Sequence, residues 1–244
     1  MRGAAMTREL GGAAVNVLAS TSGELPAAMR LQILTTEHWS LLSTRALSWN
    51  EAFSRATMFL AALSGAIVAL ALVAQVATFG SAFSTFALLI LPVVLFLGVT
   101  TFLRLVQINR EDLGWVIGMN LLRHAYLEAA PELRPYFITG WHDDESGVMA
   151  TYGATAGRGA LLHEFVTTPG MLAVVDGVIA GVLGSIVGIA LGWGAPIAMA
   201  LGVAIAVATV GLLVLQQFRG VVRPRSRHTP RFPAGPSAES KSPD

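Results

Sequence analysis

Charged residues leave two long gaps in the chain: none stands between Arg55 and Arg104, and none between Asp176 and Arg219. Each gap holds two apolar runs long enough to cross ~30 Å of hydrocarbon, which takes about 20 helical residues. The pattern predicts four spans, at 56–79, 83–103, 171–191 and 195–218. A few residues around Gly80-Ser81 separate the first two, and Gly192-Trp193-Gly194 separates the last two, where glycine permits a tight reversal. The expected fold is an all-α membrane protein of two transmembrane helical hairpins, 56–103 and 171–218, with cytoplasmic helical extensions and an irregular middle segment.

The flanks carry their own periodicity. Trp39, Leu42, Ala46, Trp49 and Phe53 recur at steps of three and four, with Glu37, Thr44, Ser48, Glu51 and Arg55 on the opposite side of the wheel. This predicts an amphipathic helix over 31–55 that runs into the first span, after a flexible segment 1–30. Beyond the second span, Phe102, Val106, Leu113, Ile117, Leu121, His124 and Leu127 outline a stripe that continues as helix to about Glu128. The alternative is a break at Asn109, an N-cap with Asp112 three residues on, and Gly114 and Gly118 weaken the helix that follows. Within the middle segment, 104–170, the pattern loses its period after Pro131, and loop with one short strand pair or helix is expected. The tail, 219–244, is rich in Pro, Ser and Arg and is expected to be disordered.

Composition agrees with the pattern. Hydrophobic residues make up 54% and charged residues 13%, against roughly 45–50% and ~25% for a soluble domain. Cysteine is absent, which excludes disulfides, cysteine-ligated zinc, iron–sulfur clusters and thiol catalysis. The near-neutral total of +1 gives no reason to expect nucleic-acid binding. It hides a division, since residues 1–55 sum to +1, 104–176 to −4 and 219–244 to +4. The weakly apolar stretch at 11–19 does not read as a cleaved signal peptide.

All sixteen Lys and Arg lie outside the four spans and their short turns, with Arg55, Arg104, Arg110, Arg219 and Arg223 flanking the spans on one side. Basic residues near span ends favour the cytoplasmic side. A multi-pass protein of the inner (plasma) membrane with both termini cytoplasmic is therefore expected, its first partner being the lipid bilayer.

Trp141-His142-Asp143-Asp144-Glu145, followed by His163-Glu164, is the sharpest cluster of titratable groups. His142, Asp143, Asp144, Glu145 and His163 are candidate metal ligands, carboxylates supplying hard oxygens and imidazoles favouring a transition metal. Their spacing matches no metal signature, and the commoner reading of such a run is a solvated acidic loop. Asp176 is the one ionisable residue inside a predicted span, a position typical of ion or proton sites. Its place about two turns into the helix also suits an interfacial role, where the macrodipole favours negative charge. Gly177, Gly181, Gly184 and Gly188 repeat small residues along the third span, and Gly202 with Ala198 and Ala206 answers them on the fourth. Such faces let helices approach closely, within one chain or between copies.

Glu37-His38-Trp39-Ser40-Leu41-Leu42, Ser48-Trp49-Asn50-Glu51 and Pro135-Tyr136-Phe137 resemble uncharacterised bacterial four-span integral membrane proteins. The resemblance implies a bacterial inner-membrane setting and assigns no activity. The single Lys against fifteen Arg is a usage associated with GC-rich bacterial genomes. No Walker loop, Gly-x-Gly-x-x-Gly after a strand or Gly-x-Ser-x-Gly is present, so neither enzyme chemistry nor a cofactor is expected. Two classes remain: a channel or transporter component, formed as a homo-oligomer with a cytoplasmic vestibule, and a membrane-anchored scaffold docking a cytosolic protein partner.

Overall fold

The computed structural model of the protein describes residues 25–77, 80–153, 168–225 and 228–234. These residues are helical, with no strand among them. The helices are α1 (Ala27–Ala77), α2 (Ser81–Ala129), α3 (Glu145–Tyr152), α4 (Thr168–Ala190) and α5 (Ala195–Arg225), with a 3₁₀ helix at Pro131–Tyr136. By packing, the chain divides into Met1–Ser40 and Leu41–Asp244. The described part of the first unit is helical and largely exposed.

Four helices, α1, α2, α4 and α5, are long and apolar enough to cross a membrane, as in a multi-pass membrane protein. Their outward residues are those a hydrocarbon solvent would tolerate: Val76, Leu89 and Leu212 stand 89%, 68% and 68% exposed. Helix α2 has 49 residues, roughly 75 Å at 1.5 Å per residue, so it is far longer than the ~30 Å core requires. It passes through Pro92 and Asn109 without interruption. The alternative start at Asn109 is not adopted, because Asp112 is committed to side chains of other helices, described below. Of the expected stripe on its lower half, Phe102, Val106 and Leu113 are buried and Ile117, Leu121, His124 and Leu127 half-buried.

The expected stripe on α1 needs correction. Leu42 and Phe53 are exposed, and Glu51, placed on the solvent side by the wheel, reaches Arg104 of α2 at 2.9 Å. The inner face instead runs through Arg45, Trp49, Ala52, Ala56, Phe59, Leu63 and Ala66. A helical wheel finds the most apolar side, whereas packing here is set by long side chains that reach across to α2, Arg45 and Trp49 to Asp112 and Glu51 to Arg104. Ala52, Phe59 and Ala66 share one core with Leu91, Val94, Phe102 and Leu105 of α2 and Leu172, Ala173 and Ile179 of α4.

Helices α4 and α5 pack along each other through the small faces read from the sequence. A Cβ at Gly177, Gly181, Gly184 or Gly188 would press on Val210, Gly202 with Ala206, Ile205 or Ala198 respectively, and one at Gly202 would overlap Ser185. Gly192 takes a left-handed φ of 84°, and the Trp193 N–H donates to the Gly188 carbonyl at 3.1 Å. This is the glycine-dependent way of ending a helix.

Among its described residues the middle segment holds no strand, and of the strand pair or helix expected there it is a short helix, α3, that forms, beside the 3₁₀ turn. The tail differs from expectation. Helix α5 continues to Arg225, and residues 228–234, expected to be disordered, form an extended strap docked on the segment 142–144. His163 lies outside the described residues.

Candidate functional site

Asp176 sits eight residues into α4, about 12 Å along its axis. It is fully buried, and neither carboxylate oxygen has a hydrogen-bond partner among the described residues. Gly98 of α2 makes its room, since a Cβ there would overlap the carboxylate and come 2.8 Å from the Phe59 ring of α1. Three helices thus meet around one acid whose polar atoms no described residue satisfies. An uncompensated carboxylate charge in such a place is costly. A salt bridge to a juxtamembrane arginine, one form of the interfacial role that the sequence favours for Asp176, does not form among the described residues.

A second polar focus ties α1 to α2 below this level. Asp112 is 2% exposed. Arg45 donates to both its oxygens (Nε 2.6 Å, Nη2 3.2 Å), Trp49 Nε1 donates at 3.1 Å, and the Tyr152 hydroxyl at 2.7 Å. Buried Asn120 is likewise complete: its amide donates to the His142 carbonyl at 2.8 Å while its oxygen accepts from Arg123 and Thr151, both at 2.8 Å. These bonds fix the loop 140–144 against α2. Gly140 and Gly147 are required there, because a Cβ on either would overlap a backbone carbonyl, of Gly147 and of His142 respectively.

The predicted cluster is brought together in part and put to a different use. Asp144 caps α3, accepting from the Gly147 N–H at 2.9 Å, and its other oxygen accepts from the Ala234 N–H at 2.9 Å. Asp143, 1% exposed, accepts from the N–H groups of Arg231 and Phe232, each at 2.8 Å, and lies 3.0 Å from His228 Nε2. His142 Nδ1 stands 3.1 Å from the Phe232 carbonyl oxygen, a donor in the Nδ1–H tautomer, and the Phe232 ring stacks on His124 at 4.0 Å. The two carboxylates that looked like metal ligands serve as acceptors for the backbone of the strap. Among the described residues no group of three or more His, Asp or Glu side chains is placed to hold a metal ion.

Burial pushes the Asp143 carboxyl up, but the Arg231 and Phe232 amides and the His228 ring outweigh it and hold it below the ordinary carboxylate range. Asp144 is lowered against the same opposing burial by Gly147, Ser146 and Ala234. A carboxyl lowered by docking stabilises the docked form fully above its undocked value, about 4, and loses that contribution as pH falls through the docked value. The strap is therefore expected to stay docked at neutral pH and to release below about pH 4. Asp143→Ala releases it at neutral pH, raising hydrogen exchange at Phe232 by about 100-fold for ~3 kcal/mol of lost charge-assisted bonding. Unchanged protection in that variant would contradict the docking described.

Local pattern marks neither the pairing of Arg45 with Asp112 nor the roles of Asn120 and the strap. The signal for the first two was present in principle, as lone charges flanking two spans that must pack together. No protein-family model, curated protein or solved structure matches the chain.

Proposed function

We propose that the protein is a subunit of a membrane channel or transporter in which a proton or small cation is bound at Asp176. The observation that carries this reading is the buried Asp176 carboxylate, without a partner among the described residues, against the Gly98 backbone and the Phe59 ring. An acid kept only for structure would be expected to find donors, as Asp112, Asp143 and Asp144 do. In this reading α1 with α2 and α4 with α5 form two transmembrane hairpins, both termini face the cytoplasm of a bacterial inner membrane, and the lower halves of α1 and α2 project as cytoplasmic extensions. The one-sided distribution of Arg and Lys supports that orientation.

Four spans are few for a single-chain transporter, so the path runs between copies in a homo-oligomer. Outward apolar residues just before the first span, Leu47 at 69% and Phe53 at 56% exposure, supply surface for that association. The same residues also suit the second reading, a membrane-anchored scaffold that docks a cytosolic protein.

Ion flux decides between the two. Proteoliposomes of the wild-type protein are expected to pass protons, Na⁺ or K⁺, and Asp176→Asn to reduce that flux about tenfold or more, the factor that ~1.4 kcal/mol of lost site affinity produces. Flux absent from the wild type favours the scaffold, and equal flux in both proteins would take Asp176 out of the path.

A further inference from the structure

Between α2 and the docked strap lies an open groove of about 720 Å³. Arg110, Gly114 and Leu121 of α2 line it, with His228 and Arg231 of the strap, and no Asp or Glu of the described residues does. Arg45 and Arg104 each rest on a carboxylate. Arg110 differs, for its Nε is shielded from solvent and has no acceptor among the described residues. Gly114 adds an independent sign. A helical glycine costs about 1 kcal/mol relative to alanine, yet a Cβ at Gly114 would meet nothing within 4 Å, so no neighbouring side chain demands it. It stands four residues after Arg110, on the same helix face, and its bare backbone widens the groove beside the guanidinium.

We infer that this groove binds a phosphate-bearing anion, with Arg110 as its principal ligand and Arg231 and His228 closing the site from the strap. The planar guanidinium fork matches phosphate oxygens in pairs, and two arginines suit a multiply charged oxyanion, with the His228 ring held beside them by Asp143. The volume lies within the 300–1,000 Å³ typical of ligand pockets, which leaves room for a phosphate that carries a further group. Arg110 stands seven residues beyond Leu103, the end of the apolar run, or ~10 Å along the helix. A lipid headgroup, in the layer of several Å that borders the hydrocarbon core, and a soluble phosphate ester are therefore both within reach. The inference does not depend on the role of Asp176.

The test is the rate at which phenylglyoxal modifies Arg110 in the full-length protein, followed by peptide mass mapping with Arg134 as internal control. The protein is held in nanodiscs of phosphatidylcholine alone, of phosphatidylcholine with phosphatidylglycerol, or of phosphatidylcholine with added glycerol 3-phosphate. Selective protection of Arg110 by about tenfold is expected in one of the last two conditions. Protection by phosphatidylglycerol identifies a lipid headgroup, and protection by glycerol 3-phosphate a soluble ester. Gly114→Leu, which fills the groove without replacing a charged residue, is expected to abolish that protection. Protection in neither condition, protection shared equally by Arg134, or protection that survives Gly114→Leu would overturn the inference.

Discussion

Asp112→Ala is expected to lower the stability of the folded protein by about 2–3 kcal/mol, the range for losing hydrogen bonds to a buried charged group, since the Arg45 guanidinium left behind still reaches solvent. The carboxylate is almost fully buried and accepts from three residues on two other helices, Arg45 and Trp49 of α1 and Tyr152 of α3. Its removal takes the shared acceptor from Arg45, Trp49 and Tyr152 at one stroke. Glu51→Gln provides the contrast. Glu51 also pairs across the helices, with Arg104 at 2.9 Å, but it stands in contact with solvent, where such pairs contribute little. Reversible unfolding in detergent should separate the two variants clearly. Equal effects would mean that Asp112 does not join α1 to α2 as described.

Gly98→Ala is expected to cost about 1–3 kcal/mol through overpacking, and most of that cost should vanish when Asp176 is also replaced by alanine. The reason is geometric. A Cβ at Gly98 has nowhere to go but the Asp176 carboxylate and the Phe59 ring, and in the absence of the carboxylate the larger of the two obstructions is gone. Relief from the helical glycine then contributes up to about 1 kcal/mol in the opposite direction. The two substitutions should therefore couple by about 1 kcal/mol or more in a double-mutant cycle. Strict additivity would place the carboxylate elsewhere than against Gly98. Both predictions concern how the helices hold one another, and neither requires a transported species to be known.

Much of the helical framework is written in local pattern. The charge-free gaps give four apolar helices, the stripe ending near Glu128 anticipates the end of α2 at Ala129, and the four-residue glycine spacing gives the seam of α4 and α5. These features depend on neighbours in sequence, and periodicity reports on them directly. The packing face of α1 depends on what lies opposite. Arg45 is on the inside because Asp112, 67 residues away, is buried there, and Leu42 and Phe53 turn outward although they are the more apolar residues. The acidic cluster illustrates a different limit. Carboxylates that accept backbone N–H groups and carboxylates that ligate a cation have the same sequence, and the donors here come from a Pro-rich strap some 90 residues further on. Asp176 was conspicuous as the one charge within a span, yet its neighbours Gly98 and Phe59 are visible only in the packed bundle.

The reading as a whole turns on whether Asp176 takes up and releases a small cation. The most direct measurement is the rate at which dicyclohexylcarbodiimide, an apolar reagent for buried carboxyl groups, modifies Asp176 in the bilayer-embedded full-length protein as pH, Na⁺, Li⁺ and K⁺ are varied. The account predicts modification at Asp176 that slows about tenfold or more when protons are withdrawn or when one of the metal cations is added, because each of these changes what the carboxylate holds. An Asp176 that is never modified, or is modified at one rate under every condition, would mark it as a sealed structural acid and contradict the account.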